Sequence, residues 1–182
     1  AGGGLGIHML KMLKLNNISA IGIDTKTEKF NTCNENGAEF SVSPMENDLK
    51  NKIADFSKSN DLDVVIDFVS SKSSLELGCS ILGKGGRLVT LGGSGEQFLA
   101  NSADMLVKEL ELIGSRYCTK QELKESLDLY ARGLIEPLVS VKTDFDGAEG
   151  LHDKIEKGEI IGRAGILTVS YTHLTLPTNT VV

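Results

Sequence analysis

Four of the first six residues, Ala1-Gly2-Gly3-Gly4-Leu5-Gly6, are glycine, and few folds have a use for so many at one turn. The residues after Gly6 narrow the choice. Leu5 to Leu15 is expected to be a helix, with Leu5, Met9, Met12 and Leu13 as its apolar face and His8, Lys11 and Lys14 as its polar one. Ile18 to Ile23 is short and apolar, as a strand covered on both faces should be. Asp24 ends it, 18 residues after Gly6. Glycines at a turn let backbone approach a pyrophosphate, the next helix aims unpaired N–H groups at the phosphates, and an acid about 20 residues on can hold a ribose. The order and spacing predict a dinucleotide-binding turn.

The usual G-x-G-x-x-G spacing puts its first glycine where Ala1 stands. Either Ala1 replaces that glycine, or the motif is one residue longer and begins, with its preceding strand, before Ala1; the second reading is preferred. The 182 residues suffice for one sizeable domain and an appendage. A net charge of −6, with no basic run, argues against a general nucleic-acid or membrane-surface role. No apolar run approaches the roughly 20 residues that span a bilayer. Cys33, Cys79 and Cys118 form neither a C-x-x-C pair nor a disulfide framework, so reduced thiols and a cytoplasmic setting are expected. His8, His152 and His173 show no ligand spacing with them, and no metal site is expected in these residues.

The remaining chain alternates. Thr25 to Glu28 reads as a capping box whose helix stops at Gly37; Glu39 to Ser43 is a strand; Pro44 opens a helix carrying Leu49, Ile53 and Phe56. Asp63 to Val69 is almost continuously apolar and is expected to be central in a parallel sheet. Ser73 and Glu76 cap the next helix, which Gly83, Gly85 and Gly86 end. Arg87 to Leu91 is a strand, followed by a second glycine loop at Gly92-Gly93-Ser94-Gly95. In doubly wound sheets ligands sit at that edge. Glu109 to Ser115 is a further strand, and Thr119 and Glu122 box the start of a helix carrying Leu123, Leu127 and Tyr130 and ending at Gly133. Leu138 to Val141 is extended, Phe145 to Lys157 helical, and Ile160 to Val169 a closing strand. The alternation predicts an α/β fold, a Rossmann-type doubly wound parallel sheet. Ser170 to Val182 has no charged side chain and fits no periodic template; a disordered or non-native tail is expected.

From Gly2 to Val169 the chain resembles the cofactor-binding half of the medium-chain dehydrogenase/reductase superfamily, and especially its zinc-dependent alcohol dehydrogenases. The resemblance is carried by Ala1–Gly6, Ile23-Asp24 with Lys29, Gly37-Ala38 and Asp63–Val69. Gly86–Gly92, Glu109–Ser115 and Gly158–Ala164 extend it in order. It implies an NAD-binding domain over 1–115, incomplete because its first strand is missing. It also implies a segment over 116–169 returning to an absent catalytic domain, and a tail over 170–182. The resemblance places the pyrophosphate on Gly2, Gly3, Gly4, Leu5 and Gly6 and the adenosine ribose on Asp24 with Lys29 beside it. It lines the cleft with Phe68 and Val69, holds the carboxamide with Leu91, Gly92 and Gly93 and with Ile113 to Ser115, and reaches the pyrophosphate with Arg163. Structural roles compete: a solvated strand end for Asp24, a surface charge for Lys29, core for Phe68 and Val69, and an ion pair with Glu159 for Arg163.

A carboxylate at Asp24 suits free ribose hydroxyls and repels a 2′-phosphate, so NAD is expected over NADP. The family's catalytic domain supplies its zinc ligands, and none of that domain is present, so no catalytic or metal-binding residue is assigned and the fragment alone is expected to be inactive. The substrate implied is a small alcohol, aldehyde or ketone, and the partner a second copy through the Glu109–Ser115 sheet edge. The alternatives are a zinc-free quinone or enoyl reductase of the same superfamily, a non-catalytic dinucleotide sensor, and a methyltransferase.

Overall fold

The computed structural model describes residues 1–57 and 62–168. Its strands pair only in parallel, in three groups. The first is β1 (Ile21–Ile23) beside β2 (Phe40–Val42); the second runs β3 (Leu62–Asp67), β4 (Leu82–Thr90), β5 (Glu111–Gly114). The third pairs β6 (Val139–Thr143) with β7 (Arg163–Ile166). Helices α1 (Gly6–Leu15), α2 (Phe30–Glu35), α3 (Leu49–Ser57), α4 (Lys72–Ile81), α5 (Ser102–Lys108), α6 (Lys120–Ala131) and α7 (Ala148–Glu156) alternate with them.

Side chains of a strand point to opposite faces in turn, and β1 shows what covers each face. Ala20, just before β1, packs with Ile7 and Leu10 of α1, Cys33 of α2 and Ala38 beyond it. Ile21 and Ile23 pack on the other side with Val42, Leu49, Ile53 and Ile81, from β2, α3 and α4. Helices therefore cover both faces, as in a doubly wound sheet. Leu62 and Val65 touch that second cluster and also the third, Leu75, Leu82 and Leu88, so one apolar core runs from the first sheet into the second.

Several expectations are corrected. The buried face of α1 is Ile7 and Leu10 with Leu13 partly buried, while Leu5 is 49% exposed. Both apolar sets satisfy helical spacing, and only contact with α2 chooses between them. The Thr25 box does not form: Asp24 Oδ1 accepts the Lys26 N–H at 3.0 Å, and a short 3₁₀ turn, Thr27–Lys29, precedes α2. Helix α3 starts at Leu49, because Pro44 lies in a turn before it. Helix α4 is boxed by Ser71 and Ser74, not Ser73 and Glu76; Glu76 instead pairs with Lys72 at 2.6 Å. Among the described residues β3 ends its sheet rather than centring it, and Val64 is 46% exposed. Among the described residues neither β1 nor β3 is paired on its other edge. The β5 strand begins at Glu111, Glu109 being the left-handed cap of α5. The box at Thr119 and Glu122 forms as expected, and Gly133 (φ +66°) follows α6. The closing strand runs Arg163–Ile166; Val169 and the tail from Ser170 lie outside the described residues. No helix among the described residues is long and apolar enough to cross a membrane.

Candidate functional site

The glycine turn is closely packed at three of its four glycines. A Cβ on Gly6 would overlap the Ala1 carbonyl oxygen. One on Gly2 would lie 2.6 Å from Lys29 Cβ, and one on Gly4 would lie 2.6 Å from Arg163 Cδ and Nε. Gly3 alone has nothing within 4 Å of its Cβ position. Helix α1 begins at once, so the N–H groups of its first turn face the turn, as an anion site requires. Arg163 reaches this place because β7 lies alongside. Gly3 bridges Gly162 in parallel, and the Gly162 N–H donates to the Gly2 carbonyl at 3.2 Å. Among the described residues the Arg163 guanidinium has no ion pair with Glu159 or any other acid.

Asp24 follows β1 directly. Its Oδ2 accepts from the Ala1 ammonium at 2.9 Å and the Gly2 N–H at 2.7 Å, and its Oδ1 from the Lys26 N–H at 3.0 Å. A carboxylate offers about four acceptor positions, so one remains open. Burial opposes its ionisation, but the Ala1 ammonium and the Lys26 and Gly2 N–H groups outweigh that and hold the carboxyl below the usual carboxylate range. Lys29 is buried, with 6% of its surface exposed, and its stem packs on Gly2. It is not a surface charge. The structure thus gathers Gly2, Gly3, Gly4, Gly6, Asp24, Lys29 and Arg163 around one turn. Leu5 stands at its rim.

The second expected group sits at the carboxyl ends of β3 and β4. Phe68 is half-buried and Val69 is 66% exposed, so Val69 is not core. The Leu91 N–H donates to the Asp67 carbonyl at 2.9 Å, continuing the β3–β4 ladder into the loop. A Cβ on Gly92 would lie 2.7 Å from the Val69 carbonyl carbon, whereas one on Gly93 would have nothing within 4 Å. Sequence reasoning missed what builds this end. Asp67 is buried; its Oδ1 accepts from the Val69 and Ser70 N–H groups at 2.8 and 3.0 Å, and its Oδ2 accepts from the Ser74 hydroxyl at 2.7 Å. These bonds hold Ser70 in a left-handed conformation, φ +57°. Ser70 in turn bonds the Thr90 hydroxyl, and its carbonyl accepts from Ser94, tying the second glycine loop down. An acid at a strand end followed by a serine run was the available signal.

No group of three or more His, Cys, Asp or Glu side chains converges among the described residues as a metal site would need. Cys33 is buried, Cys79 half-buried and Cys118 exposed, all free; burial pushes the Cys33 and Cys79 thiols up. These residues do not fit a zinc ion. They do fit a dinucleotide: a glycine cradle without Cβ atoms, a helix start, an unpaired arginine and a carboxylate with one open acceptor position.

The sequence model of the zinc-binding dehydrogenase family matches residues 4–132. The chain is 24% identical over 164 residues to an NAD-dependent alcohol dehydrogenase of Sulfurisphaera tokodaii, covering 90% of this chain and 47% of the relative. It is 27% identical over 167 residues to an acryloyl-coenzyme A reductase of Metallosphaera sedula, covering 88% and 48%. The solved alcohol dehydrogenase of Aeropyrum pernix superposes with a TM-score of 0.82 at 27% identity, over 90% of this chain and 47% of that one. The chain spans about half the length of the curated relatives it matches. Because the family match runs from the glycine turn through the first two sheet groups to the end of α6, the chain belongs to the zinc-binding dehydrogenase family, within the medium-chain dehydrogenase/reductase superfamily.

Proposed function

We propose that this chain is the cofactor-binding half of an NAD-dependent, zinc-type alcohol dehydrogenase acting on a small alcohol or its aldehyde or ketone. The observation that carries the reading is the unpaired Arg163 guanidinium lying against a glycine turn whose neighbour is a strand-end carboxylate. When bound, the nicotinamide supplies the hydride chemistry. This chain's own residues bind and orient. The α1 first turn and Arg163 neutralise the pyrophosphate, and the open acceptor position of Asp24 takes a ribose hydroxyl, with Lys29 beside it. The rim formed by Phe68, Val69, Leu91, Gly92 and Gly93, with Ile113 to Ser115, positions the nicotinamide end. Zinc, as a Lewis acid on the alcohol oxygen, would be held by residues outside this chain. A strand preceding Ala1 would fill the parting between β1 and β3, and a second copy would add at the free edge of β5, whose residues are all exposed.

Asp24 decides the cofactor, because its charge repels a 2′-phosphate and, among the described residues, no lysine or arginine pairs with it. Titration of the protein with NAD and NADP is expected to give binding of NAD at least about tenfold tighter, a difference of about 1.4 kcal/mol. Tighter NADP would sink the NAD assignment. The acryloyl-coenzyme A reductase relative favours one second reading, a zinc-free reductase of the same superfamily. Metal analysis of the protein with its preceding sequence separates the two: stoichiometric zinc supports the dehydrogenase, and none supports the reductase.

A further inference from the structure

The polar side of α1 is tied to other parts of the chain. Lys14 Nζ donates to the Glu35 carbonyl at 3.2 Å, and Lys11 Nζ to the Glu136 carbonyl at 2.6 Å. His8, one turn earlier, touches two separate pieces of chain. Its Nδ1 lies 2.6 Å from the Gly4 carbonyl oxygen, and its Nε2 lies 3.1 Å from the Leu138 nitrogen. A carbonyl only accepts and an amide N–H only donates. Both contacts hold together in one state of the ring, neutral, with the proton on Nδ1 and Nε2 accepting. Pro137 has no N–H, so Leu138 is the first donor the chain offers after Glu136.

From Leu138 the path continues to Arg163. The Leu138 carbonyl accepts the Arg163 N–H at 2.8 Å, and the Arg163 side chain then crosses back to lie against Gly4. Gly4, His8, Leu138 and Arg163 form a closed circuit around the turn, and His8 is its one side-chain hydrogen-bonding link.

We propose that His8 is a positioning residue for a bound dinucleotide: by joining Gly4 of the turn to Leu138 of the returning segment, it fixes Arg163 where the pyrophosphate lies. The inference rests on reading the turn as a dinucleotide site. His8 itself touches no cofactor atom. Its work is to set the distance between a cation and the glycine cradle, alongside the Gly162-to-Gly2 backbone bond and the Lys11 bond to the Glu136 carbonyl.

Three variants of the protein, carried with its preceding sequence, test this by what each retains. His8→Asn keeps a donor near Nδ1 and lacks the acceptor, His8→Gln can place a carbonyl oxygen near Nε2, and His8→Ala keeps neither. Binding of ADP-ribose and of adenosine is measured by calorimetry or NMR titration, with amide exchange at Leu138 as the second readout. ADP-ribose should bind about tenfold more weakly to the Ala and Asn variants and within about twofold of wild type to the Gln variant. Adenosine, which lacks a pyrophosphate, should bind all four proteins alike, and the Leu138 amide should exchange faster in the Ala and Asn variants. A Gln variant as weak as Ala, or adenosine binding that falls in step with ADP-ribose, overturns the role of His8. Normal ADP-ribose binding with an unprotected Leu138 amide in wild type overturns this inference alone. Failure of wild type to bind ADP-ribose overturns the dinucleotide reading and the inference with it.

Discussion

Two glycine-rich turns look alike in this sequence and are built differently. In Gly2–Gly6, three of the four glycines are in contact with other parts of the chain: Lys29 on Gly2, Arg163 on Gly4, and the Ala1 carbonyl on Gly6. In Gly92–Gly95, only Gly92 is crowded, by the Val69 backbone, while Gly93 and Gly95 have nothing nearby. The first turn is a packed junction of α1, β1 and β7; the second is a loop anchored at one end by Ser70 and Ser94. A glycine can be needed because protein fills the space where a side chain would go, or because that space is open to something else. Gly3 and Gly93 are the open positions at the two ends of the proposed cofactor path.

The largest effect expected from this contrast is at Gly6. Alanine there drives a Cβ into backbone that cannot rotate away, and about 3 kcal/mol of stability should be lost, the upper end of what overpacking costs. Urea denaturation measures it, and a loss no greater than that of Gly3→Ala would break the distinction between packed and open glycines. Gly92→Ala should cost less, about 2 kcal/mol, because its neighbours are one peptide unit and the Ser70 hydroxyl.

Asp24 sharpens the comparison by pH. Its carboxyl is held below the ordinary value of 3.8, so its contribution to stability is complete above that value. It is lost as pH falls through the lower folded value. Asp24→Asn should therefore be less stable than wild type at neutral pH, by about 1 kcal/mol or less once solvent screening is counted. The gap should close in acid. A gap that widens on acidification would reverse the sign and remove the claim that the turn's donors favour the charged form. Smallest of all should be Gly3→Ala and Gly93→Ala, each within about 0.5 kcal/mol of wild type in urea. Gly3→Ala should nevertheless weaken ADP-ribose binding, which a purely structural glycine at an open position would leave unchanged.

Local signals were readable where one residue type can do the job alone. Thr119 and Glu122 box α6, Gly37 at φ +130° follows α2, and Asp24 closes β1, because each depends on backbone geometry within a few residues. Signals failed where two residues competed for one role. Ser71 displaced Ser73 as the cap of α4 because Ser74 answers it and is itself held by Asp67. Thr25 does not start a helix: Asp24 accepts the Lys26 N–H, and a 3₁₀ turn, Thr27–Lys29, comes before α2. On α1 the periodicity allowed two apolar faces, and burial of Ile7 and Leu10 against Cys33 and Ala38 selected one.

The sequence by itself determined the alternating parallel α/β plan, the glycine turn and the acid at the end of the next strand. Each of these comes from spacing along one stretch of chain. Only the tertiary structure decided that Arg163 lies on Gly4, that Lys29 is buried on Gly2, and that His8 spans from the turn to Leu138. Those contacts join residues up to 159 positions apart (163 minus 4), and no local pattern encodes them. They exist because β7 is bridged to the glycine turn and the side chains available there settle which groups meet.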